Sequence, residues 1–202
     1  GHIVHEIDAL GGVMPLSADF AGIQFKTLNT SKGRAVWSLR AQIDKKLYPY
    51  HVQNYLKSYA NFQIIEDEVV DFTVDNNGIN SVILNSGCKI MTSALIVCTG
   101  TFLNGLIHIG QDKYPAGRFG EKPSLSLSQS IVNNGFTTSR LKTGTPPRVL
   151  ADSINWKKTN EVWGDENPNP FSYRSSRPFK PKNLPCHIVS TNPDVHNILL
   201  NH

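Results

Sequence analysis

The fold is decided by one apolar stretch, ALIVCTGT at residues 94–101. Five consecutive apolar residues, 94–98, are typical of a strand that is buried on both faces in the middle of a parallel sheet. Thr99, Gly100 and Thr101 follow it, and in open α/β sheets ligands bind beyond the carboxyl ends of such strands. A glycine there lets the backbone approach a flat or charged ligand closely, although a plain turn is the alternative. The stretch therefore predicts an α/β fold with a candidate ligand site at residues 99–101.

Upstream of this stretch the apolar spacing predicts three helical segments, a strand and a three-stranded meander. One helix covers residues 3–10, and another begins at residue 35 and ends or kinks at Pro49, with Arg40 and Asp44 as an i,i+4 pair. A further helical piece carries Val52, Leu56 and Tyr59. A short strand is expected within residues 18–29. Between residues 63 and 91, alternating apolar residues and the turn signals Asn-Gly and Ser-Gly predict a β-meander.

Downstream, Pro123 and Ser124 precede an amphipathic segment that ends at Gly135 and predicts a helix with Ser124 as its N-cap. A helix N-terminus is a ready anion site, although a plain cap is the simpler interpretation. Proline and asparagine are dense from residue 146 to residue 193, which predicts loops with short strands such as 187–190.

Composition excludes several classes of protein. Hydrophobic residues make up 39% and charged residues 18% of the 202, which is neither a disordered nor a membrane-spanning composition. The net charge is +4, and residues 101–202 hold 12 Lys/Arg against 7 Asp/Glu, which indicates either an anionic partner or a basic solvated face. Three widely spaced cysteines, Cys88, Cys98 and Cys186, favour a reducing compartment, and Cys98 is expected to be buried.

Three short motifs contain residue types that are common in metal, phosphate or nucleic-acid sites. His2 and His5 match no metalloprotease pattern, so they predict an exposed helix face and no metal site. Lys32 follows Ser31, but the Walker loop that a nucleotide phosphate would need is absent. The segment RLKTGTPPR at residues 140–148 places three basic residues around one glycine and two prolines, which predicts a stiff junction that faces a cleft or a nucleic-acid backbone.

Several longer motifs together resemble the MnmG (GidA) family of tRNA-modifying flavoproteins. They are HEIDALGG (5–12), AGIQF (21–25), LN-x-SKG-x-AV (28–36), RAQ-x-D (40–44), TGTFL (99–103), IHIG (107–110) and RLKTGTPPR (140–148), and Arg34 stands where many members have proline.

This resemblance implies a chemistry and a set of partners. Members bind FAD on a Rossmann-like domain of the two-dinucleotide-binding-domain flavoprotein type and use NADH as reductant. With an MnmE-type GTPase they add an aminomethyl or carboxymethylaminomethyl group to carbon 5 of the tRNA wobble uridine, and the methylene carbon comes from a reduced folate. Members are homodimers, without membrane insertion, in the cytoplasm or, in eukaryotes, in mitochondria.

The resemblance also assigns residues by position. Five match flavin-contacting positions: Val69, Thr99, Gly100, Thr101 and Ser124. Five more lie in family motifs where contacts to tRNA or to the cofactor cleft are expected: Lys32, Arg40, Arg140, Lys142 and Arg148. The cysteines to which the family's chemistry is assigned fall outside the matched motifs, so no catalytic residue is expected in this chain.

The domain interpretation follows from the same resemblance. Residues 1–148 are expected to be part of the FAD-binding domain, without the first βαβ unit and its G-x-G-x-x-G, and residues 149–202 to begin an α+β insertion domain on the NADH or substrate side. The chain is interpreted as an internal fragment that is inactive and binds FAD weakly or not at all when isolated. A folate- and FAD-dependent tRNA uridine methyltransferase and a non-enzymatic basic RNA-binding module are the alternatives.

Overall fold

The computed structural model describes residues 1–76, 78–144 and 149–201. In chain order the elements are α1 (His2–Ala9), α2 (Val13–Ala21), β1 (Gly22–Leu28), β2 (Ser38–Ile43), α3 (Leu47–Lys57), β3 (Val69–Asp75), β4 (Gly78–Leu84), β5 (Lys89–Met91), β6 (Leu106–Ile109), β7 (Asp112–Pro115), α4 (Ser126–Asn133), β8 (Asn160–Val162), β9 (Cys186–Ile188) and α5 (Pro193–Leu200). This mixture of helices and sheets is an α/β protein, as the sequence predicted.

Two compact units divide the chain. The first unit is formed by residues 1–63 with residues 147–202, and the second unit by residues 64–146. The predicted division at residue 148 separates the C-terminal segment from the second unit, but the structure groups residues 1–63 with that C-terminal segment. The reason is a set of hydrogen bonds across β1, in which the backbone N–H groups of Asp165 and Leu184 donate to Phe25 and Ile23, each at 2.8 Å.

In the first unit, β1 and β2 form an antiparallel hairpin. The helix expected from residue 35 is wrong, because residues 38–43 are the strand β2. Leu39, Ala41 and Ile43 alternate along it and pack against the core formed by Ala18, Phe25 and Phe171, so a period of two prevails over the helical spacing. The helical segment α3 begins only at Leu47.

Asp44 precedes α3 and does not form the predicted pair with Arg40. Its carboxylate accepts hydrogen bonds from the backbone N–H groups of Lys46 (2.8 Å) and Leu47 (3.1 Å). These bonds lower the pKa of Asp44. Pro49 is the third residue of α3 and does not end the helix, since a proline in the first turn removes only an N–H that has no intrahelical partner.

In the second unit, β3, β4 and β5 are joined by consecutive antiparallel pairings into a three-stranded sheet. Helix α4 packs on it, and Phe72, Val82 and Leu127 form the buried cluster between them. The Ser130 hydroxyl of α4 donates to the carboxylate of Asp71 in β3, which fixes the helix against the sheet.

The apolar stretch at residues 94–98 is not a buried strand. No strand is present there, and among the described residues none pairs with it, so the backbone has no ladder to hold it in a sheet. Leu95 packs against the buried cluster of the second unit, but Ile96 is 87% exposed and Cys98 is exposed as well. Burial on both faces requires a neighbour on each side, and the described residues supply cover only for Leu95.

Candidate functional site

A groove in the second unit brings together residues from three separate stretches of sequence. Its volume is about 250 Å³, and it is lined by Glu68, Val69, residues 95–99, Ser124 and Leu127. Three of the residues that the resemblance assigned to the flavin, Val69, Thr99 and Ser124, therefore lie on one surface.

Backbone hydrogen bonds hold two of these stretches side by side. The Ser124 N–H donates to the carbonyl of Phe102, and the Asn104 N–H donates to the carbonyl of Ser124, each at 2.9 Å. Thr101 adds a bond from its hydroxyl to the carbonyl of Gly117 at 2.7 Å. The segment that follows Thr99 is thereby fixed to the segment that leads into α4, so Thr99 and Ser124 keep their positions at the groove.

Two glycines allow this arrangement. Gly100 has a φ of +56°, in the left-handed region that other residues rarely adopt. Gly105 lies so close to the neighbouring strand that a Cβ there would be 2.4 Å from the carbonyl oxygen of Ala116. Gly100 and Thr101 are adjacent to the groove but do not line it.

The prediction that Ser124 caps α4 is wrong. The helix begins at Ser126, its N-cap is Leu125, and no side chain caps it. Ser124 instead pairs through its backbone with the segment 102–104, which places it before the helix and commits its N–H and carbonyl.

The groove suits a flat, largely apolar group. Val69, Leu95, Val97 and Leu127 supply aliphatic walls, and Glu68 is its one charged lining residue among those described. Pockets for drug-sized ligands usually measure about 300–1,000 Å³, so this one accommodates a single ring system better than a whole dinucleotide. Its residues therefore fit the ring portion of a cofactor such as FAD.

The basic residues that were predicted to contact tRNA or the cleft fall in different parts of the chain. Lys32 and Arg40 belong to the first unit, in the loop between β1 and β2 and in β2. Arg140 and Lys142 are exposed residues of the second unit, and Arg148 lies outside the described residues. Sequence patterns did not identify Leu127 in the groove or Lys26 opposite Arg40, because those positions depend on packing and strand register.

A second polar cluster, in the first unit, has a structural role. Asp8 is 5% exposed and accepts hydrogen bonds from the Ser172 hydroxyl (2.6 Å), the Tyr173 N–H (2.9 Å) and the Arg174 guanidinium (3.0 Å). Burial acts to raise the pKa of Asp8, but these bonds and the charge of Arg174 outweigh it, so the pKa is lowered. Asp19 similarly accepts from the N–H groups of Phe171 and Ser172, each at 2.8 Å. The two carboxylates tie α1 and α2 to residues 171–174.

The described part of the chain has neither a metal-binding cluster nor a helix that could span a membrane. It contains no group of three or more His, Cys, Asp or Glu side chains that could hold a metal ion. No helix within it has both the length and the apolar composition that crossing a membrane demands. Its three cysteines, Cys88, Cys98 and Cys186, are free thiols, and the expected burial of Cys98 is wrong because that stretch lacks covering strands.

Known proteins match the chain along its whole length. It is 49% identical over 201 residues to the tRNA uridine 5-carboxymethylaminomethyl modification enzyme MnmG of Thermodesulfovibrio yellowstonii, covering 100% of this chain and 32% of that protein. The MnmG of a Sulfurihydrogenibium species is 46% identical, with coverage of 98% and 33%. The chain thus spans about a third of the length of these curated relatives.

The chain is also similar to a solved structure. Aquifex aeolicus GidA in its form I crystal superposes with a TM-score of 0.91 at 41% identity, over 100% of this chain and 34% of that one. The family profile described as glucose inhibited division protein A matches residues 1–202. The resemblance to the MnmG (GidA) proteins is therefore confirmed, and the chain belongs to the glucose inhibited division protein A family.

Proposed function

We propose that this chain is part of an FAD-dependent enzyme that modifies the wobble uridine of tRNA, and that the groove of the second unit holds a ring of the FAD. The observation that carries the proposal is the meeting of Val69, Thr99 and Ser124 on one groove. The names of the curated relatives support uridine carboxymethylaminomethylation over the methyltransferase and the RNA-binding module.

Five residues that line or adjoin the groove have roles in this proposal. Val69 begins β3 and presents its backbone and side chain to the adenine, while Leu127 closes the apolar wall. Thr99, Gly100 and Thr101 bring backbone polar groups to the cofactor, and the open space around Gly100 leaves room for a close approach. The bound flavin would supply the redox chemistry, and the protein would orient it and keep water from its ring.

The remaining partners are part of the same proposal. NADH is the reductant, a reduced folate donates the methylene carbon, an MnmE-type GTPase assists, and the enzyme is a homodimer in the cytoplasm or mitochondrion. Residues 94–98 join a Rossmann-like parallel sheet in the full-length protein, which would cover the exposed side chain of Ile96. The domain division at residue 148 and the absence of catalytic residues from this chain belong to this proposal, as does weak or absent FAD binding by the isolated chain.

The flavin site can be tested in the full-length enzyme with Val69→Trp. The larger side chain would fill part of a groove of about 250 Å³, so the purified variant should lose most of its bound flavin, measured as visible flavin absorbance per protein. Val74→Trp is the matched control, because Val74 lies in the same strand but is exposed and does not line the groove. Equal flavin content in Val69→Trp and Val74→Trp would contradict the site.

A further inference from the structure

The excess of positive charge is concentrated in one of the two folded units. The first unit contains 14 Lys/Arg against 9 Asp/Glu, a net charge of +5, whereas the second unit contains 6 against 7, a net charge of −1. The excess of Lys and Arg in the first unit arises because the basic residues of segments 26–57 and 157–182 both belong to it.

Four of the nine acids of the first unit use their carboxylates for hydrogen bonds within the fold. Asp8 and Asp19 are buried and bind N–H and hydroxyl donors of residues 171–175. Asp44 accepts from the backbone N–H of Lys46, and Asp165 accepts from the N–H and the hydroxyl of Thr27, each at 2.8 Å. Over the described residues of this unit, the one ion pair is Arg174 with Asp8.

The β1–β2 hairpin concentrates the unneutralised cations. Lys26 and Arg40 stand directly opposite each other in the antiparallel register, so two like charges share one face of the hairpin. Such a pair is destabilising unless an anion lies between or above the two charges. The Lys26 ammonium donates to the carbonyl of Trp163 at 3.3 Å, and no carboxylate of the described residues forms an ion pair with either side chain.

The loop that joins the two strands adds Lys32 and Arg34 in a fixed conformation. The Trp37 indole N–H donates to the carbonyl of Lys32 at 3.0 Å, and the Asn29 amide donates to the carbonyl of Val36 at 3.1 Å. The Arg34 guanidinium lies 5.6 Å from the centre of the Trp37 ring. The cations are therefore displayed on a held loop, which reduces the entropy lost on binding.

We infer that this surface, formed by Lys26, Lys32, Arg34 and Arg40, binds the phosphodiester backbone of the RNA substrate. The inference rests on the proposed tRNA-modifying function. Residues 26 and 40 lie two positions before the last strand pair, Leu28 with Ser38, so they are about 7 Å from the start of the loop. Cations spread over that length and beyond match several phosphates of a chain, not one small anion. The exposed ring of Trp37 is suited to stack with a base or to support Arg34.

The test is the salt dependence of tRNA affinity in the full-length enzyme. The double variant Lys32→Gln with Arg40→Gln should bind tRNA at least about ten-fold more weakly at low salt, and the slope of log K against log salt should fall by about 2. The charge-conserving variant Lys32→Arg with Arg40→Lys should keep the slope near that of the wild type. The variant Lys89→Gln with Lys113→Gln removes the same charge from exposed positions of the second unit and serves as the matched control.

The outcomes distinguish a failure of this surface from a failure of the proposed tRNA-modifying function. Removing Arg40 relieves its repulsion with Lys26, so the unfolding temperature of the double variant should not fall. A lower unfolding temperature together with lost tRNA binding would overturn the direct contact. An affinity and a slope equal to those of the Lys89 and Lys113 control would overturn the surface while leaving tRNA binding intact. A wild-type enzyme that binds no tRNA would overturn the proposed function itself. A variant that loses affinity for anionic lipid vesicles but keeps its affinity for tRNA would show that the partner is a membrane surface.

Discussion

Replacing Asp8 by asparagine should weaken the attachment of α1 to residues 171–174. The carboxylate accepts the Ser172 hydroxyl and the Arg174 guanidinium on one oxygen and the Tyr173 N–H on the other. An asparagine of the same shape could accept on one side only, and its NH₂ group would then face the N–H of Tyr173. The variant therefore loses a charge and leaves a backbone donor unpaired.

The cost can be estimated from these contacts. Breaking a fully buried ion pair costs about 3–5 kcal/mol, and one unsatisfied buried donor costs about 1–3 kcal/mol. The Arg174 side chain is 37% exposed, so water can replace part of what it loses, and the lower end applies. We expect about 3 kcal/mol, which corresponds to a roughly hundred-fold change in a local opening equilibrium.

Hydrogen exchange measured by mass spectrometry on the full-length protein can check this value. Amides of peptides from residues 1–12 and 171–176 should exchange roughly a hundred-fold faster in Asp8→Asn. Asp152→Asn, an exposed change in the same unit, should leave them unaltered. The pKa of Asp8 is lowered in the fold. Its contribution to the stability of the fold is therefore fully present above the unfolded pKa of about 3.9, and it is lost as the pH falls through the pKa of the folded state. A difference in exchange rate between wild type and variant that persists in strong acid, or no difference at neutral pH, would refute the reasoning.

Two further predictions concern the groove and the chain. Gly105→Ala should destabilise the second unit by about 1–3 kcal/mol and lower flavin content, because the new Cβ would lie 2.4 Å from the carbonyl oxygen of Ala116. Gly33→Ala, with nothing within 4 Å, should leave hydrogen exchange of residues 99–117 unchanged, and equal effects of the two would contradict the packing argument. The isolated 202-residue chain should purify without visible flavin absorbance, whereas a stoichiometric flavin peak would show that it holds the cofactor unaided.

Local signals predicted the elements whose formation depends on neighbours in sequence. The helix at residues 3–10 is found as α1, and the strand expected within 18–29 is found as β1. The meander expected between residues 63 and 91 is found as β3, β4 and β5. In each case, a turn or a glycine stop limits the choices of the chain before tertiary contacts act.

Predictions failed where distant residues decide the structure. Residues 36–47 satisfy a helical spacing and also place Leu39, Ala41 and Ile43 on one face of a strand, and pairing with β1 selects the strand. The candidate site shows the same dependence. The resemblance assigned Val69, Thr99 and Ser124 to one site and they line one groove, but only the packing of α4 on β3 adds Leu127 to that groove.

The location of the excess positive charge differs between the linear sequence and the folded protein, and this difference changes which residues are expected to contact RNA. Along the sequence the excess appears in residues 101–202, and this would direct attention to the segment 140–148 as the RNA contact. In the folded protein the excess belongs to the first unit, while Arg140 and Lys142 belong to a unit whose net charge is −1. Long-range attraction of a polyanion depends on the summed charge of a surface and is screened beyond about 10 Å at ordinary salt. The first unit is therefore the one that would attract RNA, and the apolar groove of the second unit requires no such charge to hold a ring.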